Sequence, residues 1–410
     1  MDKIEELLTR GVEKIYPSKE ELERVLRGGK KLRLYNGIDP TGLHLHLGHM
    51  VVLRKLRQFQ DLGHETILLI GDFTARIGDP TDKLSIRYKL TKKQVEENAA
   101  NYKKSISKIL DLNKSNIRFL HNEKWTNKLK PEDMLDLASH FTVSQLLERD
   151  MFQERIKMGK EIYLHEFLYP MFQAYDSVTM DVDMEIGGND QTFNMLCGRK
   201  LIKAMKNKDK FVMTTPLLTD SKGVKIGKTE GNVIALTDKP EDLFSKIMLL
   251  PDDVIVKGLE YLTDVSIEDI KKIEQKIKSG ENPIEYKNRL AFEIVKQLYD
   301  EKSAIDAQNN FKKIKIKNDM LPVFDMPTLP TWTIPRSSVS GVTIAEPLIN
   351  TGTVKSRSEY KNLIRQSGVT VLTQKGNKIE EKLITDPDQP PQPNTIIKVG
   401  NNRFVKIKTK

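Results

Sequence analysis

Apolar residues recur along the first part of the chain with two alternating periods. Between Leu47 and a stop at Gly63 they return every three or four positions, which predicts a helix. The flanking runs LRLYNGI (32–38) and TILLIGD (66–72) are short and mostly apolar, as is typical of buried parallel strands. Strand, helix and strand within about 40 residues predict a βαβ unit. Residues 2–30 predict two short amphipathic helices before it.

Three more apolar runs extend this pattern, at IRFL (117–120), VDMEIGG (182–188) and KFVMTTP (210–216). Helical stretches lie between them, so we predict an α/β fold with a Rossmann-like parallel sheet over residues 1–235. Ligands of such sheets bind at the carboxyl ends of the strands. The polar, glycine-bearing loops that follow the strands are therefore where a site is expected.

The rest of the chain predicts two smaller domains. Residues 236–320 carry long helical patterns rich in lysine and isoleucine, without a strand signal. Residues 321–340 are rich in proline, threonine and serine, which is typical of a linker. Residues 341–410 combine a basic amphipathic helix with a basic, β-rich ending. We expect a helical domain and then a small C-terminal α+β domain.

Composition indicates a class of partner and excludes some kinds of site. The 410 residues include 67 lysines and arginines against 57 aspartates and glutamates, a net charge of +10. Such a surplus indicates either a polyanionic partner or simply many solvated lysines on helix faces. The single cysteine, Cys197, excludes an internal disulfide framework and a four-cysteine zinc site. Without an apolar signal segment or a membrane-length apolar run, the chain is expected in the cytoplasm.

Three of the seven histidines, His44, His46 and His49, fall within six positions of each other. Zinc needs three or four converging ligands, and no nearby Cys, Asp or Glu is spaced to complete such a set, so we expect no metal site. Two interpretations remain at this point. The histidines either cap a helix, or they donate hydrogen bonds to a phosphate at the helix N-terminus, where Gly48 permits close approach.

A second motif, KGVKIGKTEGN (222–232), places Lys225 and Lys228 among three glycines. A flexible cationic loop of this kind can close over a polyphosphate and neutralise the charge that leaves. Lysine-glycine loops are common on surfaces, but the pairing with HLGH (46–49) in one α/β domain favours the phosphate interpretation. HLGH and KIGKT resemble HIGH and KMSKS, the signatures of class I aminoacyl-tRNA synthetases.

Two further polar loops and one helix carry side chains suited to binding a small ligand. GDFTARIGDPT (71–81) follows a strand and brings an aspartate that could hold an ammonium group, and MEIGGNDQ (184–191) brings acceptors for ribose or adenine. In YPMFQAYD, Tyr169, Gln173 and Asp176 share one face of a helix whose other residues are apolar. Buried polar groups need partners, and a ligand with an ammonium group and a hydroxyl would supply them.

Together these motifs resemble the bacterial tyrosyl-tRNA synthetase family over essentially the whole chain, and the last 70 or so residues resemble its S4-type RNA-binding domain. The resemblance implies a role for each matching residue. The substrate phenol would contact Tyr35 and Asp176. The α-ammonium group would contact Asp79, Tyr169 and Gln173, with Thr74 as an addition. The ATP phosphates and the departing pyrophosphate would contact Thr41, His46, His49, Lys83, Arg87, Lys225 and Lys228. The nucleotide would be lined by Gly37, Asp39, Gly48, Gly188, Asp190 and Gln191.

The resemblance also implies the reaction and the partners. The enzyme would activate L-tyrosine with ATP to tyrosyl-adenylate, release pyrophosphate, and transfer tyrosine to the 3′ end of tRNA(Tyr). Mg²⁺ would accompany ATP without a dedicated protein site, and the chain would form a homodimer. Two alternatives remain, a tryptophan-specific synthetase and an RNA-binding protein that has lost catalysis. Tyr35 with Asp176 favours a phenol, and the intact HLGH and KIGKT motifs favour catalysis.

Overall fold

The computed structural model describes residues 2–79, 91–221, 223–226, 233–317, 329–334, 342–354, 356–375, 378–400 and 403–409. The strands are β1 Lys14–Tyr16, β2 Arg33–Ile38, β3 Glu65–Ile70, β4 Ile117–His121, β5 Met184–Gly188, β6 Phe211–Thr215, β7 Thr331–Ile334, β8 Val369–Lys375, β9 Lys378–Leu383, β10 Thr395–Val399 and β11 Arg403–Thr409. The helices of the first half are α1 Lys3–Thr9, α2 Lys19–Arg27, α3 Leu47–Asp61, α4 Lys92–Ile106, α5 Glu123–Thr126, α6 Pro131–Ser139, α7 Val143–Leu147, α8 Asp150–Lys157, α9 Leu164–Met180 and α10 Thr192–Lys206. Those of the second half are α11 Pro240–Met248, α12 Ile255–Leu262, α13 Ile267–Lys278, α14 Ile284–Leu298, α15 Glu301–Lys317, α16 Ala345–Asn350 and α17 Arg357–Arg365.

The chain divides into two compact units. Unit 1 comprises Met1–Gly227, Ile234–Lys239 and Pro251–Asp300, and unit 2 comprises Lys228–Val233, Pro240–Leu250 and Glu301–Lys410. The region predicted as helical is helical throughout its described part, but α12 to α14 belong to unit 1 while α11 and α15 belong to unit 2. The domain boundaries drawn from the sequence therefore stay a prediction.

Unit 1 is built on a six-stranded sheet in the order β1-β6-β5-β2-β3-β4. Strands β2 to β6 are parallel to one another, which confirms the predicted α/β parallel-sheet fold. The edge strand β1 runs antiparallel to β6 and was not predicted. Its three residues, 14–16, lie between the two predicted helices and are too few to show a strand period.

Helix α3 follows the predicted pattern and packs its apolar face into the core of unit 1. Its residues Met50, Leu53, Leu56 and Phe59 are fully buried, and the helix begins directly after His46, whose side chain caps it. The sheet and this helix fix the carboxyl ends of β2 and β3 beside the N-terminus of α3.

Unit 2 contains the pair α11 and α15, where the rings of Phe244 and Phe311 lie 5.6 Å apart, and a five-stranded sheet in the order β7-β11-β10-β8-β9. Strand β7 lies inside the stretch interpreted as a linker and pairs in parallel with β11. Residues 321–328 and 335–340 of that stretch lie outside the described residues. Helix α17 and strand β8 form the helix, turn and strand expected in the S4-like segment.

Within the described part of the chain, no helix is both long enough and apolar enough to cross a membrane.

Lys55 is a lysine of α3 buried inside unit 1, and it makes folding sensitive to pH. Its side chain donates from Nζ to the Leu7 carbonyl and to Gln58 Oε1, both at 2.8 Å. Burial, followed by the charge of Arg54, lowers the pKa of Lys55 to about 7. The unfolded chain binds this proton up to a pH near 10.5, so between these values the unfolded state holds more protons than the folded state.

We therefore expect the free energy of unfolding to rise with pH above 7, by about 2 kcal/mol between pH 7 and pH 9 from this group. Lys55→Met should remove this contribution to the rise in the free energy of unfolding. Urea unfolding at several pH values measures it. Lys93→Met is the control, because the Lys93 side chain is 85% exposed. An unfolding free energy that depends on pH equally in the wild type and the Lys55 variant would contradict this prediction.

Candidate active site

Several of the residues singled out in the sequence lie where parallel strands end. Asp39 follows β2, Thr74 and Asp79 follow β3, and Asp190 follows β5. The N-terminus of α3 borders the same edge, because α3 connects β2 to β3. The site of unit 1 is therefore at the carboxyl edge of the sheet, as expected for this fold.

The two signature histidines cap α3 and are held in one tautomer. The Gly48 backbone N–H donates to His46 Nδ1, and the His46 backbone N–H donates to His49 Nδ1, both at 3.2 Å. A nitrogen that accepts a hydrogen bond carries no proton in a neutral ring, so we assign the proton of each ring to Nε2. The cap interpretation and the phosphate interpretation are thus compatible, because Nδ1 caps while Nε2–H can donate to an anion.

Gly48 has a specific steric role beside these rings. A Cβ atom at this position would lie 3.0 Å from Cε1 and 3.1 Å from Nδ1 of His46, so a larger residue would displace the ring. By contrast, a Cβ at Gly42 in the same loop would meet nothing within 4 Å. Thr41 is exposed in this loop, and its backbone N–H donates to the Asp39 carbonyl at 2.8 Å.

The chain on either side of the lysine loop runs beside the histidines. Residues 234–236 pair with residues 45–47 through Leu47 N to Ile234 O at 3.2 Å and Leu236 N to Leu45 O at 2.9 Å. The carbonyl of Ile226 lies close to Gly48. The structure thus brings the HLGH segment and the described start of KIGKT together.

Lys225 points to the loop after β5. Its Nζ donates to Asp190 Oδ2 at 2.6 Å, which joins a predicted phosphate-binding cation to a predicted nucleotide-binding carboxylate. A Cβ at Gly188 would lie 2.7 Å from Asp190 Oδ1, so glycine there leaves room for that carboxylate, whereas Gly37 has only ordinary contacts. Lys228, Lys83 and Arg87 lie outside the described residues.

Asp39 and two hydroxyl groups form the first of two carboxylate networks. Thr74 Oγ1 donates to Asp39 Oδ1 at 2.7 Å, and the Tyr169 hydroxyl donates to Asp39 Oδ2 at 2.9 Å. Burial and then the charge of Asp39 raise the pKa of Tyr169 well above its ordinary value, so this phenol keeps its proton. A Cβ at Gly71 would lie 1.9 Å from Asp39 Oδ1, so only glycine fits there.

Asp79 lies in this region with partners of its own. Gln191 Nε2 donates to Asp79 Oδ2 at 2.6 Å, and Arg149 donates to Asp79 Oδ1 at 3.3 Å. Asn194 donates in turn to Gln191 Oε1 at 3.1 Å. Gln191 was expected at the nucleotide, and in the structure its amide orients the aspartate expected at the ammonium group.

Asp176 is the centre of the second network and is 2% exposed. Trp125 Nε1 donates to its Oδ1 at 2.7 Å, and Asn122 Nδ2 donates to its Oδ2 at 3.2 Å. Burial raises the pKa of Asp176 well above its ordinary value, while these two donors oppose the rise. Asn122 also donates to Thr74 at 3.1 Å, which connects the two networks.

Tyr35 is fully buried on β2, opposite Glu185 on the neighbouring strand β5. Its hydroxyl lies 2.9 Å from Ser177 Oγ. Burial, followed by the charges of Glu185 and Asp176, raises the pKa of Tyr35 well above its ordinary value. Gln173 Nε2 donates to Glu185 Oε1 at 3.0 Å, so its amide oxygen is turned away from that carboxylate. The residues expected to bind tyrosine are therefore brought together by β2, β5 and α9.

Sequence reasoning missed the residues that hold these carboxylates. Asn122 and Trp125 follow β4, so the rule that sites lie after parallel strands could have found them. Ser177, Glu185 and Lys210 had no comparable signal. Ser177 directly follows YPMFQAYD, whereas Glu185 and Lys210 lie in runs whose apolar residues predict strands. No group of three or more His, Cys, Asp or Glu side chains that could hold a metal ion occurs among the residues the structure describes.

The arrangement offers two buried carboxylate networks linked by one amide, next to a helix N-terminus with two imidazole donors and a lysine. It suits a small ligand with hydroxyl and ammonium groups that reacts with a polyphosphate.

Comparisons with known proteins agree with this chemistry. The model of the family "tRNA synthetases class I (W and Y)" matches residues 27–314. The tyrosine–tRNA ligase of Carboxydothermus hydrogenoformans is 42% identical over 409 residues, 98% of this chain and 97% of the relative, and that of Thermotoga maritima is 40% identical over 407 residues, 98% and 96%. The fold is similar to a C-terminally truncated mitochondrial tyrosyl-tRNA synthetase from Aspergillus nidulans, with a TM-score of 0.62 and 24% identity over 76% of this chain and 94% of the other. The chain therefore belongs to the class I tRNA synthetases, on their tyrosine–tRNA ligase branch.

Proposed function

We propose that the two networks bind the two ends of L-tyrosine in the tyrosine–tRNA ligase reaction. Tyr35 and Asp176 would contact the phenol, and Asp79, Tyr169, Gln173 and Thr74 the α-ammonium group. The observation that carries this assignment is the Asn122 amide, which donates at 3.2 Å to Asp176 and at 3.1 Å to Thr74, so that one buried system spans both ends. A substrate that lacks the hydroxyl would leave buried groups unpaired, which excludes phenylalanine.

ATP would bind at the N-terminus of α3. The Nε2–H donors of His46 and His49 would contact its phosphates with Thr41, and Gly48 would allow the approach. Lys225, Lys228, Lys83 and Arg87 would bind pyrophosphate as it leaves, and the loops of Gly37, Asp39, Gly188, Asp190 and Gln191 would line the nucleotide. Asp39 and Gln191 would also position Thr74, Tyr169 and Asp79, because they contact these side chains directly.

The chemistry would need no covalent nucleophile on the protein. The tyrosine carboxylate attacks the α-phosphorus of ATP, the bond to pyrophosphate breaks, and tyrosyl-adenylate forms. The protein contributes alignment of the two substrates and donors placed where negative charge develops. In the second step a hydroxyl at the 3′ end of tRNA(Tyr) attacks the activated carbonyl, and AMP leaves.

Mg²⁺ would enter with ATP. Magnesium in such sites is typically held by substrate phosphates and one or two carboxylates. Asp190 contacts Lys225, a residue of the proposed phosphate site. The cytoplasm is the compartment proposed for this reaction, since tRNA and ATP are available there.

A homodimer is proposed from the surface of unit 1. Large apolar side chains are exposed between residues 135 and 164, with Leu164 at 78% and Leu135 at 75%. Several large apolar side chains exposed within one part of the chain favour an interface, because a folded monomer rarely exposes many of them. We expect the molecular mass measured in solution to be twice that of one 47.0 kDa chain.

The S4-like segment would bind tRNA through the exposed face of α17. Arg357, Lys361 and Arg365 are exposed there. Cations of this kind contact phosphates, so their binding weakens with salt.

The test compares the two half-reactions in one variant, Arg357→Gln with Lys361→Gln and Arg365→Gln. We expect tyrosine-dependent ATP–pyrophosphate exchange to be unchanged, while the KM for tRNA(Tyr) in charging rises roughly tenfold and depends less on salt. Exchange that falls together with charging would contradict this division of the chain.

A further inference from the structure

The loop between β2 and α3 carries Thr41, the residue proposed to contact the phosphates of ATP. Residues 39–44 contain no helix or strand, and residues 41–44 are exposed. The loop begins at Asp39, the centre of the first carboxylate network, and leads to His46 at the start of α3. Because it lacks regular structure, its conformation must be fixed by contacts with other parts of unit 1.

Helix α4 has two polar side chains on its buried face. This face includes the apolar residues Val95 and Ile106, but also Asn98 and Tyr102, which are 6% and 3% exposed. Asn98 and Tyr102 are four positions apart, so they lie next to each other on the helix. Buried polar groups need hydrogen-bond partners, and both of these find theirs in the backbone of the loop.

The two contacts lie on either side of Thr41. Asn98 Nδ2 donates to the Pro40 carbonyl at 2.8 Å. On the other side, the Gly42 backbone N–H donates to the Tyr102 hydroxyl oxygen at 3.3 Å. Both directions are fixed by chemistry, because a carbonyl only accepts and a backbone N–H only donates.

Both side chains hold the chemical state that these contacts require. The Asn98 amide must turn its NH₂ group to the loop, since an amide oxygen cannot pair with a carbonyl. Burial raises the pKa of Tyr102 to about 12, against the opposing effect of the Gly42 N–H and with a smaller contribution from the charge of Asp39. The Tyr102 oxygen is therefore a neutral hydroxyl at the pH of an exchange assay.

A third contact fixes the backbone of Thr41 itself. Its N–H donates to the Asp39 carbonyl at 2.8 Å, so the chain is held at residues 40, 41 and 42 in succession. All three contacts use the backbone of the loop, and Thr41 is exposed. A side chain that is held in position before the substrate arrives costs less to align in the transition state.

We propose that Asn98 and Tyr102 are positioning residues for tyrosine activation, and that they act through Thr41. By holding the backbone on both sides of this threonine, they keep its hydroxyl where the phosphates of ATP bind. In this role neither side chain contacts a substrate. The inference rests on the proposed contact between Thr41 and ATP.

Two substitutions remove one contact each. Asn98→Ala removes the donor to the Pro40 carbonyl, and Tyr102→Phe keeps the buried ring but removes the oxygen that accepts from Gly42. Each should slow pre-steady-state formation of tyrosyl-adenylate roughly tenfold, the effect of one lost buried hydrogen bond, while the tyrosine dissociation constant changes by about twofold at most. Asn101→Ala is the matched control, because Asn101 is exposed on the same helix, and it should leave the rate unchanged.

The variant Thr41→Ala separates positioning from a general loss of stability. Alone, it should slow adenylate formation at least as much as either substitution in α4. In the double variants Thr41→Ala with Asn98→Ala and Thr41→Ala with Tyr102→Phe, the second substitution should cost little more, because the group that it positions is already absent. Residues that only stabilise the fold would instead lower the rate by the same factor in both backgrounds.

Each outcome has one meaning. Equal losses with and without the Thr41 side chain would show that Asn98 and Tyr102 do not act through it, which overturns the inference. Unchanged rates in both single variants of α4 overturn it too. If Thr41→Ala leaves adenylate formation unchanged while the wild type is active, the proposed contact of Thr41 with ATP fails, and the inference with it. A wild type without tyrosine-dependent exchange would contradict the proposed function as a whole.

Discussion

Replacing His49 with alanine is expected to slow tyrosyl-adenylate formation roughly 100- to 1,000-fold while tyrosine affinity barely changes, the usual effect of removing one preorganised donor to developing charge. The structure supplies the reason. His49 Nδ1 accepts the His46 backbone N–H at 3.2 Å, so a neutral ring carries its proton on Nε2 and donates from that nitrogen. The hydrogen bonds given above for the Asp39 and Asp176 networks, which we propose bind tyrosine, come from other side chains. Lys228→Ala is expected to act in the same direction.

Pre-steady-state adenylate formation and equilibrium binding of tyrosine are the two measurements. His44→Ala is the matched control, because His44 is exposed and its Nδ1 makes only a long contact, 3.5 Å, with Thr237 Oγ1 among the residues described. Gly48→Ala should also slow activation by displacing the His46 ring, whereas Gly42→Ala, with open space around it, should not. An unchanged rate of tyrosyl-adenylate formation in His49→Ala would show that this histidine does not act at the phosphates.

Asp176→Asn is expected to reduce the preference for tyrosine over phenylalanine roughly 100-fold or more, because a buried acceptor for the substrate hydroxyl is lost. In the wild type both oxygens of Asp176 accept hydrogen bonds, from Trp125 at 2.7 Å and from Asn122 at 3.2 Å. An asparagine turns an NH₂ group towards one of these donors. The pocket then loses its acceptor for the phenol and part of the support that orients the side chain.

Exchange assays with tyrosine and with phenylalanine give the ratio of the two kcat/KM values. Asp181→Asn is the control, at the C-terminal end of the same helix, where the Asp181 side chain is 52% exposed. A variant at Asp176 that keeps the wild-type ratio would show that this carboxylate does not read the hydroxyl.

The sequence predicts those helices and strands whose apolar residues recur at a regular spacing. The parallel sheet, α3 and the helix-turn-strand of the S4-like segment follow from apolar spacing. Strand β1 is too short to show a pattern. Strand β7 lies among prolines and threonines, and its pairing with β11 depends on a strand some 70 residues away in the sequence.

The site could be predicted where its residues belong to motifs. The sequence brought HLGH and the start of KIGKT into one site because both match a family signature, and the structure brings their described parts together. Lys210 could not be found in this way, because one lysine among 67 lysines and arginines gives no sign of burial. Its burial brings it against Gly198 and Ser177, which approach it only in the folded chain.

The activity itself is tested most directly by ATP–pyrophosphate exchange with each of the twenty amino acids, followed by charging of tRNA(Tyr). The histidine and lysine motifs, with Tyr35 and Asp176 in their proposed role at the phenol, predict exchange with tyrosine alone. They also predict transfer of that tyrosine to tRNA(Tyr). Exchange with tryptophan instead of tyrosine would contradict the assignment of the pocket. RNA binding without exchange for any amino acid would contradict catalysis.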